Sequence, residues 1–561
     1  MLLSLVHTFL FLALIPGLAW PLVQSLALDP LEKFTASAAL SLLGVFLVAW
    51  AVYVWALPAS LFWTLPVLAV VGLAVGHRSF IAAFRDADAR TAVASQAIVT
   101  AWCMGLLALV LDYSGGGWTG DWWGHWQRAR FFLEHGPRDI LFNGFDPLTS
   151  RPPLVNIILG VFLRLTRDDF AHYQIAMTVL SSLAFLPAAL LTRRFGGGYA
   201  IATTTVLFML SPLFAQNATF AWTKLPTAFF ILAGLYFFLR VHDVDRPPAA
   251  PVLFAVSLAA GLLAHYSAGP YAVVLAVAWL AFGWRRRGEA AWWRSTAVAA
   301  VAGGLVLATW FGWCLANYGV KGTLLTNTSV TDNAQGLTAQ LQVMALNVRD
   351  TLVPHFLRDI DFAFISQQSP WGWWRDWFFQ LYQVNFFFAF GSVAWAAILV
   401  ALARTVRSAS FASRAFWLWF VAGNALLGIA VHGGRDTWGL AHICLQPLVL
   451  LGLAFLAARW ATLGQTWQRL LVAGAALDFS LGIALQFGTE NFAFDRWFTP
   501  QRSIAEAFLS YSQVTIMNIQ AKHQVGWVFF GDLFAAQAPL VAGVLAALLL
   551  LALVRAGRRP G

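Results

Sequence analysis

The sequence predicts an all-α, polytopic transmembrane bundle, and three observations carry that prediction. Of 561 residues, 60% are apolar and only 11% are charged, whereas a soluble domain carries about 25% charged residues and needs them to stay in water. The mean hydropathy of +0.70 is built from many separate apolar runs. Those runs alternate with short connections whose basic residues fall on every second one. Glycine (44) and tryptophan (28) are both abundant, which suits close helix packing in lipid and aromatic belts at its two surfaces.

A span needs roughly 20 apolar residues, fewer where the bilayer thins. Taken in order, that rule places about fifteen spans: 2–27, 34–57, 60–76, 93–112, 170–191, 198–214, 220–239, 251–265, 267–283, 295–318, 379–403, 414–431, 443–457, 469–487 and 531–553. The first has no Lys or Arg ahead of it and reads as a retained helix, not a cleaved signal peptide. The stretch from Pro152 to Thr166 could pass for a sixteenth span, but counting it would put Arg193 and Arg194 on the wrong side. It reads instead as an amphipathic helix at the outer interface, started by a proline in its first turn.

Orientation follows from the connections. Twenty of the 35 basic residues, among them Lys33, Arg78, Arg85, Arg90, Arg193, Arg194, Arg240 and Arg285, fall on one side together with seven of the 25 acidic ones. The positive-inside rule makes that side cytoplasmic, with the N-terminus extracytoplasmic and the C-terminus cytoplasmic. The arginine clusters are read as topology signals only. The net charge of +10 is thereby explained without nucleic acid, for which no basic run interleaved with stacking aromatics is present. The membrane expected is a cell inner membrane. Cys103, Cys314 and Cys444 are scattered and show neither disulfide nor zinc spacing.

The domain organisation expected is therefore N-terminal helices over 1–112, an outer loop with juxtamembrane helices at 113–169, and a helical core at 170–318. A second outer loop follows at 319–378, then more helices at 379–487, a third outer loop at 488–530, and a last helix with basic tail at 531–561. Loops beyond about 15 residues are usually functional or disordered, and the aromatics of these three favour order against the membrane.

The chemistry concentrates in Tyr113 to His135. Glycines end the fourth span and a helix opens near Asp121, so that Asp121, His125, Arg128 and Phe132 share one face. Trp122, Trp126, Ala129 and Leu133 fill another, with the tryptophans expected at headgroup depth. An acid, an imidazole and a guanidinium on one face can deprotonate an alcohol and hold a phosphate; equally, Asp121 can simply cap the helix.

Other candidates carry alternatives too. Lys224 sits at the outer start of a span and either binds a phosphate or snorkels to headgroups. Arg435 and His442, in a glycine-softened outer turn, offer a phosphate or pyrophosphate site unless Arg435 pairs with Asp436. His265 and Tyr266 occupy a tight outer turn and serve substrate or merely the helix interface. Arg151, before Pro152 and Pro153, either forms a salt bridge with Asp146 or, as the resemblance given below implies, faces the catalytic cavity. Asp478 falls mid-span, a functional position by default unless it bonds a neighbouring helix.

The order of these elements resembles a known family. An outer-loop helix of the form Asp121-x-x-x-His125-x-x-Arg128-Ala-x-Phe is followed by Arg151-Pro152-Pro153-Leu154 and a span ending Arg193-Arg194-Phe195-Gly196. Thr223-Lys224-Leu225-Pro226 and the later Leu445-Gln446-Pro447-Leu448 complete it. The pattern is similar to the GT-C superfamily of membrane glycosyltransferases, above all its protein O-mannosyltransferase and lipid A aminoarabinose transferase families. It covers about 110–240 closely and the layout as far as about 460. Two departures are plain: Trp122 follows Asp121 where many members have a second acid, and three extra spans precede the loop.

The resemblance implies an enzyme that transfers a sugar from a polyprenyl-phosphate donor to an acceptor hydroxyl on the extracytoplasmic face. Asp121 would be its general base, or the ligand of a divalent metal ion doing similar work; no other cofactor is implied. The partners expected are that donor, a glycan, lipid or protein acceptor, and membrane lipids. A single clear acid favours single displacement with inversion. Two alternatives remain at this stage: a ligase or polymerase of pyrophosphate-linked glycans, which would use outer arginines such as Arg349 and Arg358, and a lipid or glycan transporter or flippase.

Overall fold

The computed structural model describes residues 2–111, 121–142, 146–325, 336–354, 357, 379–430, 441–484 and 528–557. Among these residues are twenty-three α-helices, beginning with α1 Leu2–Leu14, α2 Trp20–Val23, α3 Pro30–Val54, α4 Thr64–Val75, α5 His77–Arg85 and α6 Ala87–Leu107. The first outer segment holds α7 Asp121–Glu134, a two-stranded antiparallel ribbon of β1 Leu141–Phe142 and β2 Asp146–Pro147, and α8 Leu154–Leu165. There follow α9 Phe170–Ser182, α10 Phe185–Gly196, α11 Ala200–Met209, α12 Pro212–Thr219, α13 Lys224–Val241, α14 Ala250–Ala264, α15 Gly269–Gly283 and α16 Ala290–Leu324. The C-terminal third adds α17 Leu337–Leu352, α18 Phe386–Phe390, α19 Ala394–Ser408, α20 Phe411–Ala430, α21 Ala441–Ala458, α22 Gln465–Ile483 and α23 Ala538–Gly557.

Helix is found in each of the fifteen stretches expected to span, but not always as one rod. Among the described residues seven helices are long and apolar enough to cross a bilayer, or eight if a pair bent by 71° at Gly76 counts as one. The others are short or broken. The 198–214 stretch divides at Ser211, whose hydroxyl accepts from the Phe214 N–H to start α12 at Pro212. The 379–403 stretch divides at Gly391, where a φ of +113° suits glycine alone. Asp478 staples that break: it accepts the Ser392 N–H at 2.6 Å and the Tyr382 hydroxyl at 2.9 Å. The neighbour-bonding alternative for this mid-span acid is therefore the one the geometry shows.

Two elements differ from expectation in what covers them. Pro152 to Leu163 are all buried, because α8 is packed under α7 and against α3, α9 and α14. It is an interior helix and not one lying in the lipid surface; at 12 residues it is too short to span. Gly160 makes the close approach possible, since a Cβ there would lie 2.9 Å from the Ala129 carbonyl of α7. Helix α7 is likewise buried on both faces. Trp126 sits edge-on to Phe170 and Tyr173, at 5.6 and 5.3 Å, covered by protein.

The ends of α13 mark the two ends of the bundle. Its 18 residues carry Lys224 about 26 Å from Val241. At the Val241 end the arginines do more than signal topology. Glu32, fully buried, takes a hydrogen bond from Arg240 Nε at 2.6 Å and one from the Tyr236 hydroxyl at 2.7 Å. Glu32 and Asp29 cap the start of α3 reciprocally. Arg193 pairs with Asp29, and Arg194 grips Asp243 through two 2.7 Å bonds. Three helices, α3, α10 and α13, are thus tied together at this arginine-rich end. Just beyond it, burial and the Arg286 charge bring the His242 imidazole down to about 4.

Candidate functional site

At the opposite end, four sequence-distant elements meet. Helix α7 begins at Asp121, whose backbone opens it as the sequence predicts; the Asp121 side chain lies outside the described residues. One turn on, His125 is buried, and its Nδ1 lies 3.1 Å from the Asn156 Oδ1 of α8. Because an amide oxygen only accepts, this partner puts a ring proton on Nδ1.

Arg128 is built into the wall. Its guanidinium donates to Ser150 Oγ at 3.0 Å and to the Gly124 carbonyl at 3.2 Å, and it lies 3.7 Å from the Asp146 carboxylate. Its flat face stacks 4.2 Å from the Phe142 ring centroid. Asp146 therefore pairs with Arg128, and among the described residues no ion pair joins it to Arg151. The latch joins α7 to both strands of the ribbon and to the turn that delivers Arg151. Arg151 itself is half-buried and donates to the Ser150 carbonyl at 3.3 Å.

Lys224 opens α13 and is almost fully buried. Its ammonium sits 4.2 Å over the Trp222 ring, a contact that replaces part of its lost hydration. The preceding turn is strained: Ala221 has a φ of +64°, a left-handed conformation costly for any residue with a Cβ. Such strain is held by the surrounding packing and is characteristic of sites.

His265 follows α14, within electrostatic reach of these bases. Its Nδ1 accepts the Ser267 N–H at 3.0 Å, so the ring proton resides on Nε2. Burial, then the charges of Arg151, Lys224 and His125, hold its pKa well below the usual imidazole value; it is a neutral N–H donor at neutral pH. Tyr266 donates to the Thr149 carbonyl at 3.0 Å and accepts from Trp310 Nε1 at 3.2 Å, locking the turn of α14 onto the Arg151 segment. Behind it, Trp50, Tyr53, Phe132, Trp310 and Trp313 form an aromatic wall between α3, α7 and α16.

The structure thus brings together His125, Arg128, Arg151, Lys224, His265 and Tyr266. Arg435 lies outside the described residues, and His442 falls in the first turn of α21 with its side chain likewise outside them. Asn156 and Trp222, which orient His125 and Lys224, were not anticipated. A lone amide inside the apolar run 154–165, and a tryptophan two residues before the lysine, were the only signals. Among the described residues no three carboxylate, imidazole or thiol groups form a metal site; the Asp121 side chain, on which metal use was to turn, is not among them.

No family model matches the sequence, and no curated protein does. Among solved structures, the chain is similar to ArnT from Cupriavidus metallidurans bound to undecaprenyl phosphate, at 16% identity over 83% of this chain and 75% of that one, with a TM-score of 0.46. The apo state of the same protein gives 13% identity, 64% and 74% coverage and 0.31. The archaeal oligosaccharyltransferase AglB from Archaeoglobus fulgidus, in complex with an inhibitory peptide and a dolichol-phosphate, gives 16% identity, 71% and 55% coverage and 0.38.

Proposed function

We propose that this protein is a membrane glycosyltransferase that moves a sugar from a polyprenyl-phosphate donor to an acceptor hydroxyl at the extracytoplasmic surface. The observation that carries the reading is the convergence of Arg151, Lys224 and His125 on the neutral His265, about one helix length from the arginine-rich end. A lipid-linked donor cannot leave the membrane, so its phosphate has to be met at the end of a span, where Lys224 stands. Two fixed cations and an N–H donor in a half-buried site match a phosphate better than a neutral ligand, and burial strengthens each contact.

The leaving group is then a phosphate whose charge the protein neutralises, and Asp121 takes the proton of the attacking hydroxyl. Displacement is single and inverting. His125, held by Asn156, lines the same site. Sugar and acceptor are expected to be set by the outer loops.

The test is transfer from a panel of radiolabelled polyprenyl-phosphate sugars to endogenous membrane acceptors. Asp121→Asn is expected to lower the rate by about 10²–10⁴, while Lys224→Met raises KM for the donor. Transfer that survives in Asp121→Asn returns Asp121 to a helix cap. Transfer by neither wild type nor variant would instead favour a transporter, for which the helices broken around Ser211 and Gly391 are the supporting observation.

A further inference from the structure

Among the described residues, helix α5 is set apart at the arginine-rich end. It turns 71° away from the preceding span at Gly76, so it runs across the bundle end instead of through it. One face is fastened down: Ser79 accepts from Trp20 Nε1 at 3.1 Å. Phe80 packs edge-on to Trp20 and Phe34 at 5.0 and 5.4 Å, and Ala83 is buried. Phe34 lies in the first turn of α3 beside Glu32, which fixes α5 at this end.

The other face is open and two-sided. Ile81 and Phe84 are 48% and 40% exposed, and at 100° per residue they stand together on the helix circumference. Arg78 and Arg85, seven residues apart, share the adjoining stripe, and both are exposed. Arg193, Arg194 and Arg240 at the same end are consumed in ion pairs. By contrast, among the described residues no ion pair or side-chain hydrogen bond engages Arg78 or Arg85. Asp86, next in sequence, is occupied as the cap of α6, accepting the Ala89 N–H at 2.9 Å.

We propose that α5 lies in the plane of the leaflet at the arginine-rich end, with Ile81 and Phe84 in the acyl boundary and Arg78 and Arg85 on the phosphates of anionic phospholipids. An apolar strip beside a basic strip, on a helix lying across the end of a span, matches a charged lipid surface. Two guanidiniums without carboxylate partners supply the charge complementarity, and a phosphodiester headgroup takes them as it takes any paired arginine donor.

The experiment uses the full chain in detergent, titrated with phosphatidylglycerol or phosphatidylcholine in mixed micelles and read by native mass spectrometry. Arg78→Gln/Arg85→Gln is expected to need roughly 30-fold more phosphatidylglycerol for equal retention, with phosphatidylcholine unchanged. Arg285→Gln/Arg287→Gln, which removes the same charge from another connection at this end, is expected to shift it less than about threefold. Equal shifts in the two variants, or none in the first, overturn the proposal. A second reading comes from Phe84→Cys carrying an environment-sensitive dye in vesicles of brominated lipid. Quenching supports an in-plane helix. A dye that stays unquenched, or that responds only to protein density, assigns the face to water or to a second copy and overturns it.

Discussion

Ala221 shows how a single residue can reveal constraint. Its φ of +64° sets Trp222 beneath Lys224, and an alanine there costs about 1 kcal/mol relative to glycine. Ala221→Gly is therefore expected to raise stability by about 0.5–1 kcal/mol, seen as a higher midpoint in a thermal melt of the detergent-solubilised protein. A lower midpoint would mean that the Ala221 methyl packs well enough to outweigh its backbone strain. His265 makes a pH-dependent prediction. Its pKa in the folded site is depressed by burial first and by Arg151, Lys224 and His125 next. The unfolded chain binds a proton near pH 6.5 that the folded site refuses. Stability linked to His265 is thus fully present above that pH and falls as the pH drops below it. Lys224→Met is expected to move the His265 pKa upward but, burial being the larger cause, not back to the free value. Diethylpyrocarbonate modification of His265 followed against pH by mass spectrometry reads this; an unmoved midpoint would deny that Lys224 acts on the ring.

At the scale of elements, α7 depends on one latch and one gap. Arg128 binds Asp146, Ser150 and the Phe142 ring, so Asp146→Asn removes a carboxylate from beside a buried guanidinium. The expected loss is about 3 kcal/mol in unfolding free energy, against a much smaller loss for Arg128→Met/Asp146→Leu, which removes both charges. Similar losses for the two variants would make the pair incidental. The sequence showed α7 itself, because Asp121 and a helical repeat of apolar residues are local signals. It could not show which surface covers α8, since an apolar stripe reads the same whether lipid or protein lies over it. Hydropathy also set the start of the second span at 34, where the charges Glu32 and Lys33 end the apolar window. The helix begins at Pro30, because Asp29 and Glu32 cap it. Long-range partners such as Asn156 for His125, or Asp478 for the break at Gly391, depend on tertiary proximity that no local spacing encodes.

Across the whole molecule the two ends are built differently, and that difference makes the orientation testable. At the arginine-rich end Arg193, Arg240 and Arg194 are paired with Asp29, Glu32 and Asp243, whereas the far end gathers Arg151, Lys224 and His125 around a neutral imidazole. If the site acts on lipid-linked donors outside the cell, the far end has to face out. Leu141, 53% exposed beside the site, and Val244, fully exposed at the arginine-rich end, are suitable reporters, while Cys103 and Cys314 are buried and silent. In a background with Cys444 replaced by Ala, Leu141→Cys is expected to react with a membrane-impermeant maleimide in intact cells, and Val244→Cys only after lysis. The opposite pattern would turn the arginine-rich end outward against the positive-inside rule. The cationic cluster would then face the cytoplasm, where a transferase would meet nucleotide sugars, and the polyprenyl-phosphate reading would lose its physical basis.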